Sequence, residues 1–218
     1  YRSSISRERF IKYYYDPGSI SRITITSAGI TKIPESVLTN LNTLILSSNR
    51  LQEFPNLVKF TPNLRTLDLS NNLFYLSENP NERKLNQNIV NKIPSSIRIL
   101  RIGGSFNGSI PQNIFDGTNF PNLTEFNLNR GSTSQRHGID NDQNPAQLPN
   151  VGENVTVYSA TSQNFGVFGT TNNGNNQFNP ADLPVLKSLN LDNNPNLTSS
   201  NFEIESNDIE YINISRTR

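Results

Sequence analysis

Apolar and polar positions alternate along this chain in a short pattern that recurs from one end to the other. Apolar triplets spaced by three residues and then two stand at Ile20, Ile23, Ile25; Leu41, Leu44, Leu46; Leu64, Leu67, Leu69; and Ile97, Leu100, Ile102. The pattern continues through Leu123, Phe126, Leu128; Val155, Tyr158, Ala160; Leu186, Leu189, Leu191; and Ile209, Ile212, Ile214. Within each triplet the last two members alternate with their neighbours as a short strand with one buried face requires. Each triplet therefore predicts one strand. The triplets begin at residues 20, 41, 64, 97, 123, 155, 186 and 209, so successive units are 21 to 33 residues long. A self-similar unit of that length predicts a solenoid, because one unit cannot bury its apolar face alone and stacking makes a thin continuous core.

The segments "LNTLILSSNRL" (41–51) and "LRTLDLSNNLF" (64–74) resemble the leucine-rich-repeat consensus, with Asn49 and Asn72 at its asparagine position. "LKSLNLDNNPNL" (186–197) is similar, with Asn194 there and one extra residue before Leu197. This resemblance covers residues 20–218. It implies an α/β repeat solenoid, a right-handed coil with a concave parallel β-sheet and an irregular, 3-10 or short-helical convex side. In that family the asparagine turns inward and bonds the backbone of neighbouring coils, as buried polar groups demand. Ala28, Ser105, Gly131, Gln163 and Thr217 stand at the equivalent position of the other rungs, which predicts a broken ladder. "FNGSIPQNIF" (106–115) resembles the plant-type and extracellular form of the repeat, a glycine and an Ile-Pro pair after a strand. Related pairs recur at Ile33-Pro34, Phe54-Pro55, Ile93-Pro94 and Leu148-Pro149, where proline ends strand pairing on the outer side.

Residues 1–19 carry no triplet and end in an Asp-Pro-Gly turn, so they are expected to cap the first coil or lead in from a preceding domain. Residues 20–218 are the solenoid, of about eight rungs, with insertions near 75–96, 130–154 and 166–185 emerging on the outer side. The chain stops just after the triplet ending at Ile214, so another segment, chain or domain is expected to cover that rung. A chain that begins at Tyr1 and holds no methionine is expected to be a mature or excised piece.

Composition narrows the chemistry. Only 33% of residues are hydrophobic and 35 are asparagine, a balance that suits a thin core. With 19 basic and 18 acidic residues the net charge is +1, which gives no overall footprint for nucleic acid or an anionic membrane. No apolar run reaches the length of a membrane span. The absence of cysteine excludes disulfides, thiolate metal sites and a cysteine nucleophile. His137 is the single histidine, in the polar insertion "GSTSQRHGIDNDQN", and neither a zinc site nor a Ser-His-Asp arrangement is read from it. "RIGGSFNGS" lacks the lysine and helix of a phosphate loop, so its glycines are assigned to a turn. No catalytic group, metal or cofactor is expected. Sequons stand at Asn107, Asn122, Asn154, Asn196 and Asn213, a number this much asparagine gives by accident.

In the resembled fold the residues flanking the middle triplet member point into the concavity. On that basis Arg22, Thr24, Asp68, Arg101, Glu125, Asn127 and Asn190, together with Arg65 and Arg98 one residue before the flanking positions of their rungs, are the candidate ligand-binding positions. Their charge concentrates on rungs three to five, and it reads either as an exposed ion-pair ladder or as a patch in which arginine forks recognise carboxylates or backbone carbonyls. The expected function is non-catalytic protein-protein recognition or surface adhesion, in an extracellular or particle-surface setting. The alternative is a structural component of a larger assembly such as a virus or phage particle, ordered by neighbouring chains.

Overall fold

All eight triplets carry strands. In a computed structural model that describes residues 17–33, 36–107, 110–111, 113–129, 146–162, 165–168, 183–197 and 208–217, they form one parallel sheet. Its strands are β1 (Arg22–Thr24), β2 (Thr43–Ile45), β3 (Thr66–Asp68), β4 (Ile99–Arg101) and β5 (Glu125–Asn127). After β6 (Ala146–Leu148), the sheet resumes with β7 (Val157–Ser159), and after β8 (Phe165–Phe168) with β9 (Ser188–Asn190) and β10 (Tyr211–Asn213). The strand order β1-β2-β3-β4-β5-β7-β9-β10 follows the chain, and the register aligns triplet with triplet, Leu44 beside Leu67 and Leu67 beside Leu100. A parallel sheet built this way needs the chain to return between strands, and the intervals between triplets supply that return.

The middle triplet members Leu44, Leu67, Leu100, Phe126, Tyr158 and Leu189 are buried in one contiguous core, while their strand neighbours face the open side. A second row of apolar residues on the return path closes that core. Phe54, Phe74 and Phe106 pack with ring centroids 5.1 to 6.1 Å apart, and Phe115 joins Phe126 at 4.6 Å. Each fully buried large side chain contributes roughly 1.5–3 kcal/mol, so stability accumulates coil by coil.

The return side is short helix and turn. Helices Leu57–Phe60 and Gln87–Val90 start with Asn56 and Asn86, whose side chains accept the N–H groups of Lys59 and Ile89. The insertion near 75–96 packs on this side through the 3-10 turns Phe74–Leu76 and Pro80–Glu82. Glu82 fastens it: one carboxylate oxygen accepts the Phe54 N–H at 3.0 Å and the other meets Lys92 Nζ at 2.6 Å. Strands β6 and β8 belong to the two later insertions and pair in parallel as a second, two-stranded sheet. Residues 130–145, which include His137, and 169–182 of those insertions, and residues 1–16 of the expected cap, lie outside the described residues.

Two backbone features shape the coils. Positive φ recurs two residues after the third triplet member, at Ser27, Ser48, Asn71, Gly104, Ser162, Asn193 and Arg216, with values from 51° to 69°. This left-handed residue swings the chain out of the strand and toward the asparagine position, against a steric cost of about 1–2 kcal/mol where the residue is not glycine. Gly103 answers a different demand: a Cβ there would fall onto the backbone of Leu128 and Asn129 in the next rung.

Candidate functional site

The asparagine positions lie inside the coil and hold it together. Asn49 Nδ2 donates to the carbonyls of Ile25 (2.7 Å) and Leu46 (2.9 Å), while its Oδ1 accepts the N–H groups of Ala28 and Ile30. Asn72 repeats the arrangement one rung on, donating to Leu46 and Leu69 and accepting from Leu51. Asn194 donates to Ala160 (2.7 Å) and Leu191 (2.8 Å). The expected break at Ser105 is absent. That hydroxyl, fully buried, donates to the Leu69 carbonyl at 2.8 Å and accepts the Asn72 N–H at 2.9 Å, so a shorter side chain serves the same two rungs. Thr217 donates to the Ile214 carbonyl within its own rung, whereas the Ala28 methyl has no hydrogen bond to offer; Gly131 and Gln163 lie outside the described residues.

A second ladder has no counterpart in the sequence reading. One residue before the first triplet member, Asn40 donates to the Gly18 carbonyl, Asn63 to Thr39, Ser96 to Pro62, Asn122 to Ser95 and Asn154 to Pro121. Each donor reaches back one rung. On the other flank of the triplet's first member, Thr124 Oγ1 donates to Arg98 and Thr156 Oγ1 to Thr124, both at 3.1 Å. The sequons Asn122-Leu-Thr and Asn154-Val-Thr are therefore paired inter-rung ties. The sequence signal was the recurring Pro-Asn-Leu at 62–64 and 121–123.

The open face of the sheet presents two rows. The first runs Arg22, Thr43, Thr66, Ile99, Glu125, Val157, Ser188, Tyr211, and the second Thr24, Ile45, Asp68, Arg101, Asn127, Ser159, Asn190, Asn213. Much of the second row is occupied by its own backbone. The side chains of Asp68, Asn127, Asn190 and Asn213 each accept the N–H two residues ahead, at 2.8 to 3.2 Å, which is an Asx turn that ends the strand. Arg101 and Glu125 meet across rungs four and five, with Nε and Nη2 both 2.7 Å from Glu125 Oε1. Exposed Arg22 bonds its neighbour Thr24 at 3.3 Å. Arg65 and Arg98 stand one residue ahead of the first row, exposed, and among the described residues neither side chain takes part in an ion pair or hydrogen bond.

A cavity of about 870 Å³ opens at the first-rung end of the core. Its walls include Ile23, Ile25, Leu41, Leu44, Phe54 and Leu57, with Glu53, Glu82 and Lys92 among the polar residues around it. Burial holds the Tyr158 hydroxyl far above the ordinary phenol range, and it donates to the Pro149 carbonyl at 3.1 Å, which is a packing arrangement without exposed chemistry. Among the described residues no group of three or more acidic or imidazole side chains could hold a metal ion, and no helix is long and apolar enough to cross a membrane.

Comparison with known proteins converges on the same repeat. Residues 29–81 match a family described as leucine-rich repeats in two copies. A stretch of 106 residues, 48% of this chain, is 32% identical to transforming growth factor beta activator LRRC33 of Danio rerio, and the match spans 15% of that protein's length.

Proposed function

Because the chain is a leucine-rich-repeat protein, we propose that it is a recognition module whose open sheet face receives a segment of another protein. Domains of this family generally act by protein-protein interaction and are generally non-catalytic. The observation that carries the reading here is the division of labour among the polar side chains. Asparagines and a serine inside the coil bond its backbone, so the largely half-buried first row and the exposed arginines that precede it are left to meet a partner. The zebrafish relative, by its name, acts on a protein, which belongs to the same class of partner. The candidate positions Arg22, Thr24, Arg65, Asp68, Arg98, Arg101, Glu125, Asn127 and Asn190 form the proposed face, with Asp68, Asn127 and Asn190 shaping it through their turns. An adhesive role in an extracellular setting is the finer form of this proposal, supported by the "FNGSIP" rung.

The cavity beneath the first rung supports residues 1–19 as a cap, since its apolar walls need a cover and Asn40 already ties Gly18 to the second coil. The assembly-component reading draws on β10 and the residue after it, where Tyr211, Ile212 and Ile214 are exposed. A further coil and a neighbouring chain would cover that edge equally well.

The test is selective blocking. Thr66→Arg, Val157→Arg and Ser188→Glu place bulk on the open face, and Val58→Glu places a charge on exposed surface of the return side. Loss of a purified partner's binding with the first three, and retention with the fourth, is the expected outcome. The opposite pattern moves the site to the return side.

A further inference from the structure

We propose that Arg65 and Arg98 form one acid-reading subsite that takes the carboxylate side chains of an extended acidic segment of a protein partner; this rests on the open face being the recognition surface. Strands β3 and β4 pair with Thr66 beside Ile99, so the arginines preceding them occupy equivalent places on neighbouring rungs. The Arg98 N–H donates to the Arg65 carbonyl at 2.8 Å, which fixes the two backbones side by side. Neighbouring strands lie about 4.8 Å apart, so two guanidinium groups share one margin of the sheet.

The other charges near them are already used. Arg101 is paired with Glu125, and Asp68 Oδ1 accepts both the N–H (3.0 Å) and the hydroxyl (2.6 Å) of Ser70. Farther along the sheet Lys187 stands 3.8 Å from Glu210. Among the described residues, Arg65 and Arg98 alone combine adjacent rungs, exposure and no partner for the side chain. Like charges placed directly opposite across strands destabilise a sheet, and an incoming anion relieves that repulsion. Each guanidinium offers five N–H donors in a planar fork and no acceptor, a geometry matched by a carboxylate.

A peptide crossing the rungs suits the surroundings. Next in sequence to the arginines, half-buried Thr66 and Ile99 form a shelf for a short or apolar side chain. A nucleic acid fits less well, because its affinity grows with the number of phosphates neutralised, and this chain carries a net charge of +1 with two unpaired arginines at this margin.

The experiment is fluorescence anisotropy with the full 218-residue chain and a labelled peptide of alternating Glu and Leu. Its Lys/Leu counterpart and a single-stranded oligonucleotide are the comparison probes. The expected result is binding of the acidic peptide alone, weakened about tenfold or more in Arg65→Ala/Arg98→Ala and abolished in Arg65→Glu/Arg98→Glu. Exposed Lys84→Ala should bind as wild type. Melting at low salt checks folding: Arg65→Ala/Arg98→Ala should melt at or slightly above the wild-type temperature, since repulsion is removed. No acidic-peptide binding, equal binding by the double alanine variant, tighter oligonucleotide binding with the same arginine dependence, or a clear drop in melting temperature each overturns the proposal. If the blocking variants Thr66→Arg and Val157→Arg abolish partner binding while both arginine pairs leave it intact, the open face stands and this subsite falls.

Discussion

Asn49 and Asn72 share one acceptor. The side-chain amides of both donate to the carbonyl of Leu46, at 2.9 Å from within its rung and at 3.0 Å from the next. A carbonyl has two lone pairs, and here each is committed to a different coil. The same sharing recurs at Leu69, which accepts from Asn72 and Ser105, so the ladder advances one carbonyl per rung.

Asn72→Ala leaves the Leu51 N–H without its acceptor and removes one donor from each of two buried carbonyls. A loss of about 2–4 kcal/mol in unfolding free energy is expected, larger than the roughly 1 kcal/mol for the helix-capping Asn56→Ala. Urea midpoints at unchanged slope measure both.

Gly103→Ala should be among the costliest single substitutions. The new methyl would meet the backbone of Leu128 and Asn129, which can retreat only by opening the stack between rungs four and five. About 3 kcal/mol or more is expected. Gly29→Ala is the control: at φ 67° with nothing within 4 Å, it meets backbone strain alone, about 1–2 kcal/mol. Comparable melting temperatures for the two variants would show that the rungs can separate freely.

The ladder of Asn40, Asn63, Ser96, Asn122 and Asn154 stops at rung seven, where exposed Val185 holds the corresponding position. Val185→Asn should let the new amide reach the Glu153 carbonyl, as Asn154 reaches Pro121. A gain of about 0.5–1 kcal/mol is expected, with a loss of similar size for Asn122→Ala or Asn154→Ala. Thermal melts of the three variants decide it.

Tyr158 couples stability to alkaline pH. Its folded-state pKa is raised by burial, so the folded protein keeps the phenol proton after the unfolded chain begins to lose it near pH 10. The stabilisation is full below that pH and is lost progressively above it. Tyr158→Phe should cost about 1 kcal/mol near neutrality, through the lost bond to Pro149, and should flatten the alkaline fall in melting temperature.

The eight strands were legible because burial follows a strict local spacing: Leu64, Leu67 and Leu69 lie within six residues, and their periodicity alone states which face is wet. Asn49, Asn72 and Asn194 were legible as inward-turning residues only through the repeat they resemble. Ser105 was misread as a gap, since sequence shows the length of a side chain but not the approach of the next coil. The turns at Asp68, Asn127 and Asn190 were missed for a related reason. An exposed acid or amide looks free for a ligand until the backbone two residues ahead is seen to claim it.

What the sequence determined by itself was the unit, its number and its buried face, all written in the spacing of apolar residues a few positions apart. Tertiary structure decided which polar groups meet, as when Asn122 meets Ser95 or Arg101 meets Glu125. Those partners are more than twenty residues apart, and only the pitch of the coil, with the left-handed residue that follows seven of the eight strands of the main sheet among the described residues, brings them within hydrogen-bond distance.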